Sequence, residues 1–153
     1  MEKLNFLLDV DGVLTDGSYY YNTSGKIMKK FGPHDHDGLK LVKDLFDISF
    51  ITADHRGFTI SEKRIVHDMG FKLELVTEME RYDFVKKNYD FNKLIFMGDG
   101  FYDAEVLKDC LIGIAPKSAN SHAIKNADFV TKSNAGYGAV FDACLFLKDK
   151  FSK

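Results

Sequence analysis

Phe6-Leu7-Leu8-Asp9-Val10-Asp11-Gly12-Val13-Leu14-Thr15-Asp16-Gly17 is an apolar run that ends in two carboxylates one residue apart and then a glycine. The run from Leu4 to Val10 suits the centre of a parallel sheet, where both faces are covered and side chains need not alternate with polar ones. In open α/β sheets the functional crevice lies outside the carboxyl ends of the strands, so Asp9 and Asp11 fall where chemistry is found. Taken alone, D-x-D-G also describes a plain strand followed by an Asp-Gly turn, and the remainder of the chain has to decide between the two.

The 153 residues suggest a single domain, 1–153, large enough to bury a sizeable core. A net charge of -2, with Lys and Arg scattered, offers no footprint for nucleic acid. No apolar run approaches the roughly 20 residues of a membrane span, and Met1-Glu2-Lys3-Leu4-Asn5 enters a strand too directly for a signal peptide. A cytoplasmic protein without membrane or nucleic-acid partners is expected. Cys110 and Cys144 sit in apolar company that suits reduced core thiols.

Beyond the acidic strand, Ser18–Tyr21 and Lys26–Phe31 flank Asn22-Thr23-Ser24-Gly25 and predict a hairpin flap. Gly32 to Gly38 alternates His and Asp; one short loop wraps four ligands around an ion poorly, so a solvated loop reaching the site mouth is expected, with Asp37 capping the next helix. A second strand, Asp47–Ile51, ends in Thr52, a possible phosphate donor, and a helix follows over Ser61–Met69. The third strand, Phe71–Thr77, leads into a helix from Glu78 to about Asn88 that carries Arg81 near the same rim. Lys93–Met97, the fourth, ends in Gly98-Asp99-Gly100-Phe101-Tyr102-Asp103, a second acidic tip. Short strands at Leu111–Ala115 and Asp128–Thr131 bracket a helix over Ser118–Asn126, and a final apolar helix follows Ala135-Gly136-Tyr137-Gly138.

This alternation predicts a doubly wound, Rossmann-like, mostly parallel sheet with helices on both faces. With the first strand central and the fourth beside it, Asp9 and Asp11 face Asp99 across the topological switch point. Carboxylates so gathered repel one another unless a hard cation neutralises them, and an all-oxygen set suits Mg²⁺. A carboxylate beside Mg²⁺ can attack phosphorus, which assigns Asp9 as nucleophile and Asp11 as acid and base, with Thr52 and Arg81 stabilising the phosphoryl oxygens.

The order D-x-D-G, strand-end Thr, cation and G-D-x-x-x-D resembles the haloacid dehalogenase superfamily of phosphatases over nearly the whole chain. Asp9–Gly17, the hairpin, His36-Asp37-Gly38 and Gly136–Val140 resemble its capless branch, which includes the 3-deoxy-D-manno-octulosonate 8-phosphate phosphatases. The resemblance implies Asp9 as nucleophile, Asp11 as acid/base and backbone-carbonyl ligand, Asp99 as Mg²⁺ ligand with Asp103 supporting it, and Gly12, His36, Thr52 and Ala53 near the substrate. It also implies a sugar or sugar-acid phosphate as substrate and a homo-oligomer, a tetramer, closing the uncapped site. Departures are Thr52-Ala53-Asp54 for the usual Thr-Gly-Arg, Arg81 for a lysine, with Lys86 and Lys87 deeper in the helix, and Tyr137 and Phe141 where arginines are usual. Two other readings compete: a catalytically weak binding protein of the same fold, whose motifs should be broken, and a phosphoacceptor signalling domain, whose motif order differs.

Overall fold

Consecutive residues of a strand point to opposite faces of its sheet, and in the first strand both faces are apolar. In the computed structural model, which describes residues 2–152, β1 spans Leu4–Asp9. Phe6, Leu8 and Val10 enter one core with residues of α1 (His34–Val42), the Lys63–Asp68 turn and α6 (Ala139–Phe151). Leu7 enters another, with residues of α3 (Arg81–Asn88), α4 (Ala104–Asp109) and α5 (Ser121–Asn126). That division explains why the run needs no polar alternation. It also puts Asp9, which shares the parity of Leu7, on the α3 side.

Six strands form the main sheet in the order β5-β4-β1-β6-β7-β8, every pairing parallel. They are β4 (Phe46–Thr52), β5 (Lys72–Leu75), β6 (Leu94–Met97), β7 (Ile112–Ala115) and β8 (Phe129–Val130) around β1. The switch point therefore falls between β1 and β4 on one side and β6 on the other. The hairpin, β2 (Tyr19–Asn22) and β3 (Gly25–Lys29), is a separate antiparallel pair. No helix among the described residues is long and apolar enough to cross a membrane. Cys110 and Cys144 are free and buried, and burial pushes the Cys110 thiol up to about 12.

Three local expectations change. The segment 34–38 is not a loop: α1 begins at His34 behind Pro33, so Asp37 lies within the first turn instead of capping it. Gly38 drives this, since a Cβ there would stand 2.8 Å from Phe141 Cα; only glycine lets α1 approach α6 so closely. The expected helix over Ser61–Met69 is a short α2 (Phe58–Glu62) continued by the wide turn Lys63–Asp68. The third expected helix opens later, at Arg81, because Thr77 Oγ1 donates to Glu80 Oε2 (2.6 Å) and Glu78–Glu80 form a turn first.

Candidate active site

The carboxyl ends of β1, β4 and β6 open into a crevice of about 650 Å³. Asp9, Asp11, Thr52, Ala53, Arg81, Asp99 and Asp103 all line it, together with Tyr19 and Lys26 of the hairpin. Asp9, 7% exposed, ends β1, and its Oδ1 accepts from Val10 N (2.8 Å). Arg81, at the first position of α3, reaches back under the sheet end: its Nη1 lies 3.3 Å from Asp9 Oδ2 and 2.8 Å from Asp103 Oδ1. An arginine expected on the exposed rim is thus 3% exposed and paired twice. Its Nε is buried with no hydrogen-bond partner.

Asp103 follows Asp99 by a single 3-10 turn, Phe101–Asp103, and its Oδ2 accepts from Asp99 N (3.0 Å) and Gly100 N (2.9 Å). Both its oxygens are therefore engaged by the protein, and Oδ2 ties down the backbone of the Asp99 loop. Oxygens of Asp9, Asp99 and Asp103 all lie within 4.8 Å of one another, a donor set of hard oxygens suited to a small divalent cation. Burial raises the Asp9 carboxyl well above the ordinary range; Arg81 pulls it back, and Asp103 and Asp99 push it further. Burial likewise carries Asp99 up to about 6, against a hydrogen bond from Asp9. For Arg81 burial opposes the charge, but the Asp9 and Asp103 carboxylates outweigh it and hold the guanidinium above its usual value. Concentrated negative charge with raised carboxyl groups is a site that a cation would relieve.

Gly12, expected near the substrate, packs on Asp99, which lines the crevice. At φ +81 it turns the chain after Asp11 with no Cβ, and a Cβ there would collide with the Asp99 carboxylate. Thr52 is 1% exposed, and its Oγ1 accepts from Asp54 N (3.1 Å). His36 is not at the crevice. Its ring packs edge-on against Phe71 at 6.5 Å, because α1 begins early and carries residue 36 onto the helix; burial first, then Lys40 and Arg64, lower its pKa. Its neighbour Asp35 is buried and accepts from Phe141 N (3.1 Å), tying α1 to the first turn of α6. The Asp11 carboxylate stands outside the carboxylate cluster; it accepts from Thr15 Oγ1 (3.3 Å) and Lys29 Nζ (2.9 Å).

The hairpin lysines escaped the sequence reading. Lys26 Nζ lies 2.7 Å and Lys29 Nζ 2.8 Å from Asp54 Oδ2. Burial opposes the Asp54 charge, but these two lysines overcome it and hold the carboxyl down at about 2. In a regular strand residues three apart face opposite ways. Here Tyr20 pairs with Met28 and Tyr21 with Lys26, so Ile27 is an extra residue, and the resulting bulge turns Lys26 and Lys29 to the same side. Two lysines in a strand facing a lone aspartate past Thr52 were the available signal, but the bulge that aligns them was not legible.

A sequence profile for haloacid dehalogenase-like hydrolases matches residues 82–143. The 3-deoxy-D-manno-octulosonate 8-phosphate phosphatase of Haemophilus influenzae is 30% identical over 145 residues, 91% of this chain and 79% of that protein. Its counterpart in Escherichia coli K12 is 28% identical over 150 residues, covering 92% and 77%. The crystal structure of the Moraxella catarrhalis phosphatase of that name, in complex with magnesium ion, phosphate ion and a KDO molecule, superposes with a TM-score of 0.82 at 23% identity, covering 96% of this chain and 86% of that one. The chain belongs to the haloacid dehalogenase-like phosphatases, in the branch without a cap domain, and is similar to the 3-deoxy-D-manno-octulosonate 8-phosphate phosphatases.

Proposed function

We propose that residues 1–153 act as one Mg²⁺-dependent phosphomonoesterase domain, working through an aspartyl-phosphate on a small phosphorylated metabolite. A sugar or sugar-acid phosphate of the 3-deoxy-D-manno-octulosonate 8-phosphate type is the substrate class, on the strength of the relatives' names. The observation that carries the reading is the meeting of Asp9, Arg81, Asp99 and Asp103 at the floor of one crevice. Asp9 and Asp99, with the Asp11 main-chain carbonyl, would hold Mg²⁺, and Asp103 would brace them. The bound ion would supply charge neutralisation, allowing Asp9 to ionise and an anionic phosphate to approach.

In this reading Asp9 attacks phosphorus, Asp11 gives a proton to the leaving oxygen and later takes one from water, and Thr52 and the Nε of Arg81 bind phosphoryl oxygens. Ala53 keeps the wall beside Thr52 free of bulk. His36 has no part in it. A cytoplasmic setting belongs to the same reading, supported by two free, buried cysteines.

We also propose a homo-oligomer, a tetramer, that closes the crevice. The hairpin supports it: Tyr20 is 61%, Met28 52% and Ile27 43% exposed, an aromatic and apolar surface beside an uncapped site. The test of the function is a panel of sugar, sugar-acid and nucleotide monophosphates. Phosphate release that needs Mg²⁺ and stops with a chelator is expected; release unaffected by chelation would refute the metal assignment, and no release from any compound the phosphatase reading.

A further inference from the structure

The Lys29 side chain is fully buried, and its ammonium has three protons to donate. Three acceptors surround it: Asp11 Oδ2 at 2.9 Å, Asp54 Oδ2 at 2.8 Å and Ser61 Oγ at 2.9 Å. Its hydrogen-bonding capacity is therefore filled, and Lys29 does not itself line the crevice, whereas Asp11 does. Lys26 joins the same Asp54 oxygen and lies over the Tyr19 ring at 3.9 Å, so the hairpin is pinned to the loop after β4.

The two oxygens of Asp11 are thereby made unequal. Oδ2 accepts a short bond from the Lys29 ammonium, which occupies a lone pair of that oxygen and fixes the carboxylate's orientation. Oδ1 has only the Thr15 hydroxyl at 3.3 Å, a long contact. We infer that Lys29 is a positioning residue for the acid/base step: by holding Oδ2 of Asp11 it makes Oδ1 the oxygen that carries and delivers the proton. The inference rests on the phosphatase reading above.

In the first step an Asp9 oxygen forms its bond to phosphorus as the bond from phosphorus to the ester oxygen breaks. The proton on Asp11 Oδ1 passes to that oxygen, so a neutral alcohol leaves and Asp11 becomes a carboxylate. In the second step water attacks the phosphorus of the aspartyl-phosphate, its proton returns to Oδ1, and the bond from Asp9 to phosphorus breaks to release inorganic phosphate. Asp54 keeps Lys29 from swinging into the crevice as a phosphate ligand, so the departure from Thr-Gly-Arg and the hairpin lysine form one device.

The test compares wild type and Lys29→Met, in Mg²⁺, on two substrates: the best alkyl phosphate of the panel, whose alcohol must be protonated to leave, and p-nitrophenyl phosphate, whose phenolate leaves unaided. Because hydrolysis of the aspartyl-phosphate is common to both substrates, the readout is kcat/KM, which covers the steps through loss of the leaving group: it is expected to fall about 100-fold on the first and no more than about fivefold on the second. In an Asp11→Asn background, Lys29→Met should remove no more than about a further twofold, since its effect runs through Asp11. Ser61→Ala, which leaves the Asp11 contact in place, should keep the wild-type ratio between substrates. Independently of turnover, the Lys29 side-chain ¹⁵N signal should move in Asp11→Asn. Should Lys29→Met fail to fold by circular dichroism, Lys29→Gln, neutral and shorter, gives the same ratio. Equal losses of kcat/KM on both substrates, or none, overturn the inference; a wild type inactive on the whole panel overturns the phosphatase reading beneath it.

Discussion

Arg81 Nη1 stands 3.3 Å from Asp9 Oδ2 at the floor of the crevice, and the same nitrogen holds Asp103 at 2.8 Å. One guanidinium so links the end of β1 to the loop after β6. Buried charges of this kind are tolerable only when each has a partner, and removing the arginine would leave both carboxylates uncompensated, whereas without the Asp9 charge it still holds Asp103. The arginine is therefore both a structural tie and a phosphate donor in the proposed chemistry, with Nε still unpartnered.

Asp9→Asn should keep the fold and lower turnover at least about a thousandfold, the size of loss typical of a deleted nucleophile. Because burial disfavours the Asp9 charge, the neutral variant is also expected to melt no lower than wild type in a metal-free buffer. Phosphate release and a thermal melt on one preparation check both; wild-type turnover in Asp9→Asn would remove the covalent mechanism.

Arg81→Ala is expected to lose about 100-fold or more in kcat/KM, the cost of one transition-state donor, whereas Lys86→Ala should change little. Lys86 points to the Tyr82 ring, 5.8 Å from its centre, and does not line the crevice. Steady-state kinetics on both variants decides it, and the reverse ranking would move the functional cation deeper into α3.

Gly12→Ala places a methyl against the Asp99 carboxylate and asks alanine for φ +81. The backbone strain alone costs about 1–2 kcal/mol, and a displaced Asp99 should reduce turnover about 100-fold. Mg²⁺ titration should show weaker binding than in wild type; unchanged affinity would mean that Asp99 is free to move aside.

Asp35 gives a pH signature away from the crevice. Burial raises its carboxyl to about 6, partly offset by hydrogen bonds from Phe141 and Val140 N–H groups. The folded state thus holds this proton more tightly than the unfolded chain. The contribution is fully present below the unfolded value of 3.8 and is lost as pH rises through about 6. Asp35→Asn keeps an acceptor for Phe141 and has nothing to ionise. Relative to that variant, wild type should lose on the order of 2 kcal/mol between pH 4 and pH 7. Urea melts at those two pH values measure it, and a constant difference would show an ordinary carboxyl.

A Tyr20→Lys, Met28→Lys double variant should shift the mass measured by light scattering from oligomer to monomer, since it places charge on the exposed hairpin face. Full activity in a wild-type monomer would dispose of the shared-site proposal.

Much of the fold lay in the local pattern of residues. Apolar runs ending in Asp9, Thr52 and Asp99, separated by helical segments, determined by themselves a parallel sheet, its strand order around β1, and the crevice at the carboxyl ends, because right-handed crossovers leave few alternatives. The same pattern brought Asp9 and Asp99 to one place. Only the tertiary structure decided what each carboxylate touches. Whether Asp11 faces the cluster or the hairpin depends on a single bulged residue, Ile27, that aligns Lys26 with Lys29. Residue 36 left the crevice because Gly38 lets α1 dock on α6, with Asp35 bonded to the first turn of that helix. Such outcomes turn on side chains distant in sequence competing for a few buried hydrogen bonds, and no local period records that competition.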